Sequence, residues 1–180
     1  CAENGSSQFP EISEAVRIWF QTGIDLPGEA AGVLFSEDAW DDTALATSSF
    51  GQGYNVTMIQ QIAAFCSVIN GGYYYRPRVV SEITDSNGSV VEKIDAKLLK
   101  QVISSEVSDK LREYLGIAVE EGTGQSAKVE GYTMGGKTGT AEKVDPETGT
   151  RNKTDYLVSF IGFAPLDDPQ VAIYVVVDRP

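Results

Sequence analysis

The stretch Gly135-Gly136-Lys137-Thr138-Gly139-Thr140 decides how the rest of this sequence is interpreted. It lies in the last third of the chain, where apolar segments alternate with short polar connections, a pattern typical of antiparallel strands. Three strands are predicted there, joined by a loop and a turn: residues 132–141, 156–164 and 171–178, with the loop at 145–154 and the turn at 165–169. The Lys-Thr-Gly segment is therefore predicted to lie in a strand.

The same stretch also fits a phosphate-binding loop. Residues 131–138 satisfy the spacing G-x-x-x-x-G-K-[ST], and residues 173–178 imitate an apolar strand that ends in a magnesium-binding aspartate. A phosphate loop, however, requires an apolar strand before it and a helix after it. Residues 125–130 are mostly polar, while residues 139–150 contain Pro146 and lack a helical apolar stripe. This context disfavours a nucleotide-binding protein.

The other interpretation places Lys137 at the rim of a cleft, in one of the three motifs of serine acyl-transfer enzymes. There the Lys137 ammonium and the Thr138 hydroxyl would bind a substrate carboxylate, and Gly139 would let a peptide lie along the strand. The backbone N–H of Thr140 would supply half of an oxyanion hole. These four residues are the candidate site.

Two helices are predicted upstream from apolar residues at helical spacing. The first covers residues 56–70, with Asn55 as its N-terminal cap and Gly71-Gly72 as its left-handed end. The second covers residues 105–120. The residues expected on its buried face are Val107, Leu111, Leu115 and Ala118. Gly122 and Gly124 are expected to end it.

Turn signals divide the remaining sequence. The Gly and Pro placement in residues 22–29 predicts an ordered turn, and Asn87-Gly88 predicts a hairpin between residues 79–83 and 89–94. The pattern in residues 1–21 gives only a weak prediction of secondary structure, so these residues are predicted to be a separate N-terminal segment. Together the elements predict an α+β fold, an antiparallel β-sheet with packed helices.

Composition excludes several classes of function. With 14 basic and 26 acidic residues the net charge is -12, which disfavours binding to nucleic acid and to anionic lipid headgroups. The chain has no His, so Ser-His-Asp and Cys-His catalysis are excluded, and neither a metal nor another cofactor is expected. Cys66 lies in an apolar run and is expected to be structural. No stretch reaches the ~20 apolar residues of a membrane span, so a membrane anchor is expected outside this chain.

From about Thr22 to Pro180 the chain resembles the transpeptidase domain of class B penicillin-binding proteins. The resemblance rests on an ordered set of landmarks: residues 22–29 (TGIDLPGE), 49–53 (SFGQG), 70–72 (NGG), 135–142 (GGKTGTAE), 159–165 (SFIGFAP) and 177–180 (VDRP). It implies a partial serine β-lactamase and penicillin-binding transpeptidase fold, with residues 22–180 as the C-terminal portion of that domain.

The resemblance also implies a chemistry and partners. A serine attacks a D-Ala-D-Ala stem peptide of peptidoglycan, the terminal D-Ala leaves, and the acyl group passes to an amine on a neighbouring stem. β-Lactam antibiotics acylate the same serine. The partners implied are stem peptides, β-lactams and the cell-wall synthesis machinery, at the extracytoplasmic face of the bacterial membrane.

Two of the family's three motifs are missing from these residues. No serine is followed three residues later by Lys, and there is no Ser-x-Asn. Ser48 and Ser49 lack the required spacing and are expected to brace the first helix. Because both motifs lie upstream of the TGIDLPGE segment in the family, the chain is expected to be truncated and inactive alone. The alternative is a non-catalytic binding or scaffold module of the same fold.

Overall fold

The computed structural model describes residues 17, 18, 20–33, 46–48, 51, 52, 54–144 and 151–180, with backbone alone at 144 and 151–153. The chain forms two compact units, Cys1–Ser104 and Ser105–Pro180. The predicted separation of residues 1–21 from residues 22–180 stays a prediction.

The first unit is organised around helix α1, Met58–Ile69. Its cap is Thr57, whose hydroxyl accepts from the Gln60 amide at 3.2 Å while the Gln60 side chain accepts from the Thr57 amide at 2.8 Å. The predicted cap at Asn55 is therefore wrong. The backbone of Asn55 instead pairs with Val33 in an antiparallel bridge, which delays the start of the helix.

The end of α1 agrees with the prediction. Gly71 and Gly72 both have φ of +93°, a backbone conformation that L side chains rarely adopt. At Gly72 the packing is an additional constraint, because a Cβ there would lie 1.9 Å from the Ile103 carbonyl oxygen. Glycine is thus required at the residue that turns the chain into the next strand.

Four short strands follow α1. β1 (Tyr73–Tyr75) pairs antiparallel with β4 (Leu98–Gln101), and β2 (Glu82–Thr84) pairs antiparallel with β3 (Val90–Lys93). The β2–β3 hairpin is the predicted one, although its strands are shorter than expected. The β1–β4 pair was not predicted.

The core of this unit combines apolar and polar side chains. Most of its buried members among the described residues lie on α1 and β1: Gln60, Ala63, Ala64, Phe65, Ser67, Ile69 and Tyr74. The buried Gln60 side chain donates to the Phe20 carbonyl at 2.9 Å, so a capping residue also holds a segment 40 positions away. Buried polar groups are tolerated when they are hydrogen-bonded in this way.

The predicted turn at residues 22–29 is ordered by acidic side chains. The Glu29 carboxylate accepts from the Thr22 amide at 2.5 Å, the Thr22 hydroxyl at 2.7 Å and the Gly23 amide at 2.9 Å. Asp25 accepts from the amides of Val79 and Val80 at 2.7 and 2.9 Å. The turn is therefore fastened to the start of the β2–β3 hairpin.

The second unit contains helix α2 (Ser105–Glu120), a 3₁₀ turn (Gln125–Ala127) and a three-stranded antiparallel sheet. The strands, in the order β5-β6-β7, are Gly135–Val144, Arg151–Ala164 and Val171–Asp178. The predicted fold class, helices with antiparallel sheet, is confirmed. β5 begins three residues later than predicted, and residues 151–154 of the predicted loop belong to β6; residues 145–150 lie outside the described part of the chain.

Helix α2 has the predicted bounds but a shifted buried face. Of the predicted face Val107 is exposed while Leu111, Leu115 and Ala118 are half-buried, and the fully buried residues are Ser108, Gly116 and Val119. A Cβ at Gly116 would lie 2.8 Å from the Leu166 side chain. The buried side of α2 therefore includes Gly116, where the absence of a side chain leaves room for Leu166. Apolar periodicity does not predict this contact.

Candidate functional site

The candidate site residues are consecutive in β5, the strand at one edge of the sheet. Lys137 lies opposite Ile161, Thr138 opposite Phe160, Gly139 opposite Ser159 and Thr140 opposite Val158 on β6. Among the described residues, no strand pairs with the other edge of β5. An edge strand presents unpaired N–H and C=O groups, to which an extended peptide can add as a further strand.

Three glycines in β5 leave room for side chains of β6 to pack closely against the strand. A Cβ at Gly135 would lie 2.6 Å from the Phe163 ring, one at Gly136 would lie 2.5 Å from the Phe160 ring, and one at Gly139 would lie 2.6 Å from Ser159 Oγ. None of the three has a positive φ. Glycine is required at these positions because a side chain would clash with β6, and not because of the backbone conformation.

Lys137 carries an exposed positive charge on this strand. Its Nζ donates to the carbonyl oxygen of Thr138 at 2.9 Å. In the part of the chain that the structure describes, Lys137 belongs to none of the ion pairs. Because no carboxylate there neutralises it, the ammonium is free to attract an external anion.

The Thr138 hydroxyl has a partner that the sequence analysis missed. Thr123 Oγ1 lies 3.0 Å from Thr138 Oγ1, and either atom can be the donor. The sequence pattern predicts Gly122 and Gly124 only as the end of α2, and a polar residue between two glycines is the signal that points to Thr123. The structure thus adds Thr123 to the candidate site.

Thr140 is exposed and lies on the same face of β5 as Thr138, because side chains alternate along a strand. Its role as an oxyanion donor concerns its backbone N–H and stays a prediction. None of the serines among these 180 residues has the Ser-x-x-Lys spacing of the family's nucleophile. Ser48 is buried with its hydroxyl 3.5 Å from the Gln52 carbonyl oxygen, which lies before α1, so its bracing of that helix stays a prediction; Ser49 lies outside the described residues.

The phosphate-loop alternative is contradicted by this geometry. Lys137 and Thr138 lie in the middle of a strand that continues to Val144, where a phosphate loop needs the first turn of a helix. Asp178, which the phosphate-loop interpretation takes as a magnesium ligand, instead accepts a hydrogen bond from Lys143 Nζ at 2.6 Å. That hydrogen bond lowers the pKa of Asp178 and ties the end of β5 to β7.

The other side chains that the structure describes suggest no competing centre. Burial raises the pKa of the Cys66 thiol, which suits the structural role predicted for it. The described residues contain no group of three or more Cys, Asp or Glu side chains suited to hold a metal ion. Within them, no helix has the length and apolar character needed to cross a membrane.

Comparison with known proteins identifies the family. Residues 2–180 match the family model described as the penicillin binding protein transpeptidase domain. The chain is 48% identical over 161 residues to stage V sporulation protein D of Bacillus subtilis, covering 89% of this chain and 25% of that protein. It is 33% identical over 183 residues to penicillin-binding protein PbpB of Mycolicibacterium smegmatis, covering 98% of this chain and 28% of that protein.

A solved structure agrees. Penicillin-binding protein 3 from Mycobacterium tuberculosis, in complex with aztreonam, superposes with a TM-score of 0.88 at 29% identity, over 97% of this chain and 40% of that one. The chain spans about a quarter of the length of the two curated relatives reported above. The predicted resemblance is confirmed: this chain belongs to the transpeptidase domain family of penicillin-binding proteins.

Proposed function

We propose that this chain is the C-terminal part of a serine D,D-transpeptidase that cross-links peptidoglycan at the extracytoplasmic face of the bacterial membrane. β5 is its substrate strand. The nucleophilic serine and its lysine partner come from transpeptidase sequence outside these 180 residues, and so does the membrane anchor. Stem peptides and β-lactams are its ligands, and the protein works with the cell-wall synthesis machinery.

The observation that carries this proposal is that the exposed Lys137 lies on a strand whose outer edge is unpaired among the described residues. A D-Ala-D-Ala peptide is extended and ends in a carboxylate. Its backbone can hydrogen-bond along β5, and the exposed Lys137 ammonium with the neighbouring Thr138 hydroxyl suits its carboxylate. Gly139 also presents no side chain of its own to obstruct the peptide.

The chemistry is an acyl transfer in two steps. The serine oxygen attacks the carbonyl carbon of the penultimate D-Ala, the Thr140 N–H stabilises the oxyanion, and the C–N bond to the terminal D-Ala breaks. The departing amine takes a proton. An amine from a second stem then attacks the acyl-serine ester and forms the cross-link, and the proton that this amine loses restores the serine hydroxyl.

A charge-removal experiment in the full-length protein tests the site. Lys137→Ala should slow acylation by a fluorescent penicillin about 10- to 100-fold, the size expected for a lost charge-assisted hydrogen bond. Lys110→Ala, which removes an exposed lysine from α2 in the same unit, is the matched control. Labelling of the Lys137→Ala variant at the wild-type rate would exclude β5 as the carboxylate site.

Inactivity of the 180 residues alone is a separate part of the proposal. It rests on the absence of Ser-x-x-Lys, since a nucleophile and its base act as a unit. Incubated with the same penicillin, the 180-residue chain should take up no covalent label. Stable labelling at a serine of this chain would refute the claim.

The missing motifs also favour a second candidate, a non-catalytic module that binds stem peptides without cleaving them. The two candidates differ in the full-length protein. A transpeptidase forms a covalent penicilloyl adduct, whereas a binding module shows saturable stem-peptide binding that depends on Lys137 and forms no adduct.

A further inference from the structure

We infer that Thr123 is a positioning residue for substrate binding: its hydroxyl donates to Thr138 Oγ1, and so directs the Thr138 hydroxyl proton toward the bound carboxylate. The inference rests on the proposed function of β5. It adds a residue from outside the strand and gives it a defined task.

The first step is the placement of Thr123. It stands in the turn after α2, where the Gly124 amide donates to the Ala118 carbonyl at 2.9 Å. A Cβ at Gly122 would lie 2.9 Å from that same oxygen, and one at Gly124 would lie 3.0 Å from it. The turn can therefore close tightly only because glycine stands on both sides of Thr123.

The second step is the restraint on the turn beyond Thr123. The Gln125 side chain donates to the Glu120 carbonyl at 3.1 Å, and Lys128 forms an ion pair with the Glu120 carboxylate. These contacts tie the segment after Thr123 to Glu120, the last residue of α2. Thr123 is thus held by the helix end, whereas Thr138 is held by the sheet, and their hydroxyl oxygens lie 3.0 Å apart.

The third step is a count of donors. A threonine hydroxyl has one proton to donate and two lone pairs with which to accept. If Thr138 donates to a carboxylate, its only proton is used, so the bond with Thr123 forms only with Thr123 as donor. Hydrogen bonds in such a chain polarise one another, so donation from Thr123 strengthens the Thr138 bond to the anion.

The fourth step concerns the neighbouring ammonium. Side chains alternate along β5, but Lys137 Nζ reaches back to the Thr138 carbonyl oxygen at 2.9 Å, so the ammonium and the hydroxyl both lie close to Thr138. A bound carboxylate then meets a directed proton beside a positive charge. Without Thr123, the Thr138 hydroxyl can rotate and can offer the anion a lone pair instead of a proton.

The test uses the full-length protein and two ligands, a penicillin with its free carboxylate and the methyl ester of the same penicillin. Thr123→Val keeps the shape of the side chain and removes the hydroxyl, whereas Thr123→Ser keeps the hydroxyl. Thr123→Val should slow acylation by the free acid about 3- to 10-fold, as expected for one neutral hydrogen bond. The rate with the ester should stay unchanged, and Thr123→Ser should restore the rate with the acid.

Ser126→Ala, in the same turn, is the control for disturbance of the turn. An unchanged rate with the acid for Thr123→Val overturns the inference, and so does an equal loss with acid and ester, which would mean a purely structural role. Lys137→Ala is run in parallel. If it slows the acid reaction while Thr123→Val does not, the inference fails and the proposed function stands. If Lys137→Ala has no effect, the proposed function fails and the inference with it.

Discussion

The Ser159 hydroxyl occupies the space in which a side chain at Gly139 would stand. The two residues are paired across β5 and β6, and a Cβ on Gly139 would lie 2.6 Å from Ser159 Oγ. The same Cβ would lie 4.0 Å from Ser159 Cβ, an ordinary van der Waals contact. One oxygen atom on the neighbouring strand is therefore what makes this position of β5 unsuitable for alanine.

Gly139→Ala is expected to destabilise the protein by about 1–2 kcal/mol, the usual cost of overpacking a well-packed site. The loss should be largely relieved when Ser159→Ala removes the oxygen. Urea unfolding of the wild type, both single variants and the double variant measures the coupling between the two sites. Strictly additive losses would mean that the Ser159 hydroxyl is not the obstacle.

The second unit shows what local pattern can predict. The bounds of α2 and β7 agree with the prediction, because one has a long run at helical spacing bounded by Ser and Gly, and the other is an uninterrupted apolar run between Pro169 and Pro180. The apolar segments around Lys137 predict its strand for similar reasons. These features depend on neighbours within a few residues along the sequence.

What could not be predicted depends on contacts between distant residues. β1 and β4 are three and four residues long, and each is stable only because the other lies beside it. Thr123 and Thr138 are 15 positions apart, and no local rule joins their hydroxyls. The buried side of α2 likewise depends on where Leu166 packs.

The Glu29 carboxylate should make stability depend on pH. Burial opposes its ionisation, but hydrogen bonds from Thr22 and Gly23 outweigh burial and lower the pKa of Glu29 below its usual 4.5. The unfolded state therefore binds a proton more readily. The contribution of Glu29 is fully present above about pH 4.5 and is lost as pH falls through the lower pKa of the folded protein.

Glu29→Gln is accordingly expected to cost about 1 kcal/mol or more at pH 7, because two amides and a hydroxyl lose a charged acceptor. The difference from the wild type should shrink as pH falls below about 4.5 and through the lower pKa of Glu29 in the folded protein, because protonation removes the same charge from the wild type. Urea unfolding over this range measures it, and Glu92→Gln, at an exposed site on β3, controls for the loss of one negative charge. A difference that is constant with pH would contradict this role.

Gly72 and Gly28 separate two costs of replacing glycine. Both have positive φ, +93° and +80°, but a Cβ at Gly72 would lie 1.9 Å from the Ile103 carbonyl oxygen, whereas nothing lies within 4 Å of one at Gly28. Gly28→Ala should therefore cost only the conformational term, about 1–2 kcal/mol. Gly72→Ala carries a backbone clash as well and should cost at least about 2 kcal/mol more. The difference between their urea midpoints measures the clash, and equal losses would rule it out.

The last prediction distinguishes two N-terminal caps for α1. The spacing of apolar residues favours Asn55, but the structure has Thr57 accepting from the Gln60 amide, with Gln60 returning a bond to the Thr57 amide. Thr57→Ala removes an acceptor from the first turn and should cost about 1 kcal/mol, whereas Thr57→Ser should restore most of it. Asn55 is exposed, so Asn55→Ala should leave the cap intact.

Hydrogen exchange at the Gln60 amide gives a local measure of the same difference. That amide should exchange faster in Thr57→Ala, because its acceptor is gone, and at the wild-type rate in Asn55→Ala. The buried Gln60 side chain also donates to the Phe20 carbonyl, so loosening the cap should weaken that contact with a residue 40 positions away. Faster exchange in Asn55→Ala than in Thr57→Ala would show that the cap lies where the sequence pattern places it, and that the two-way hydrogen bonding of Thr57 with Gln60 does not start the helix.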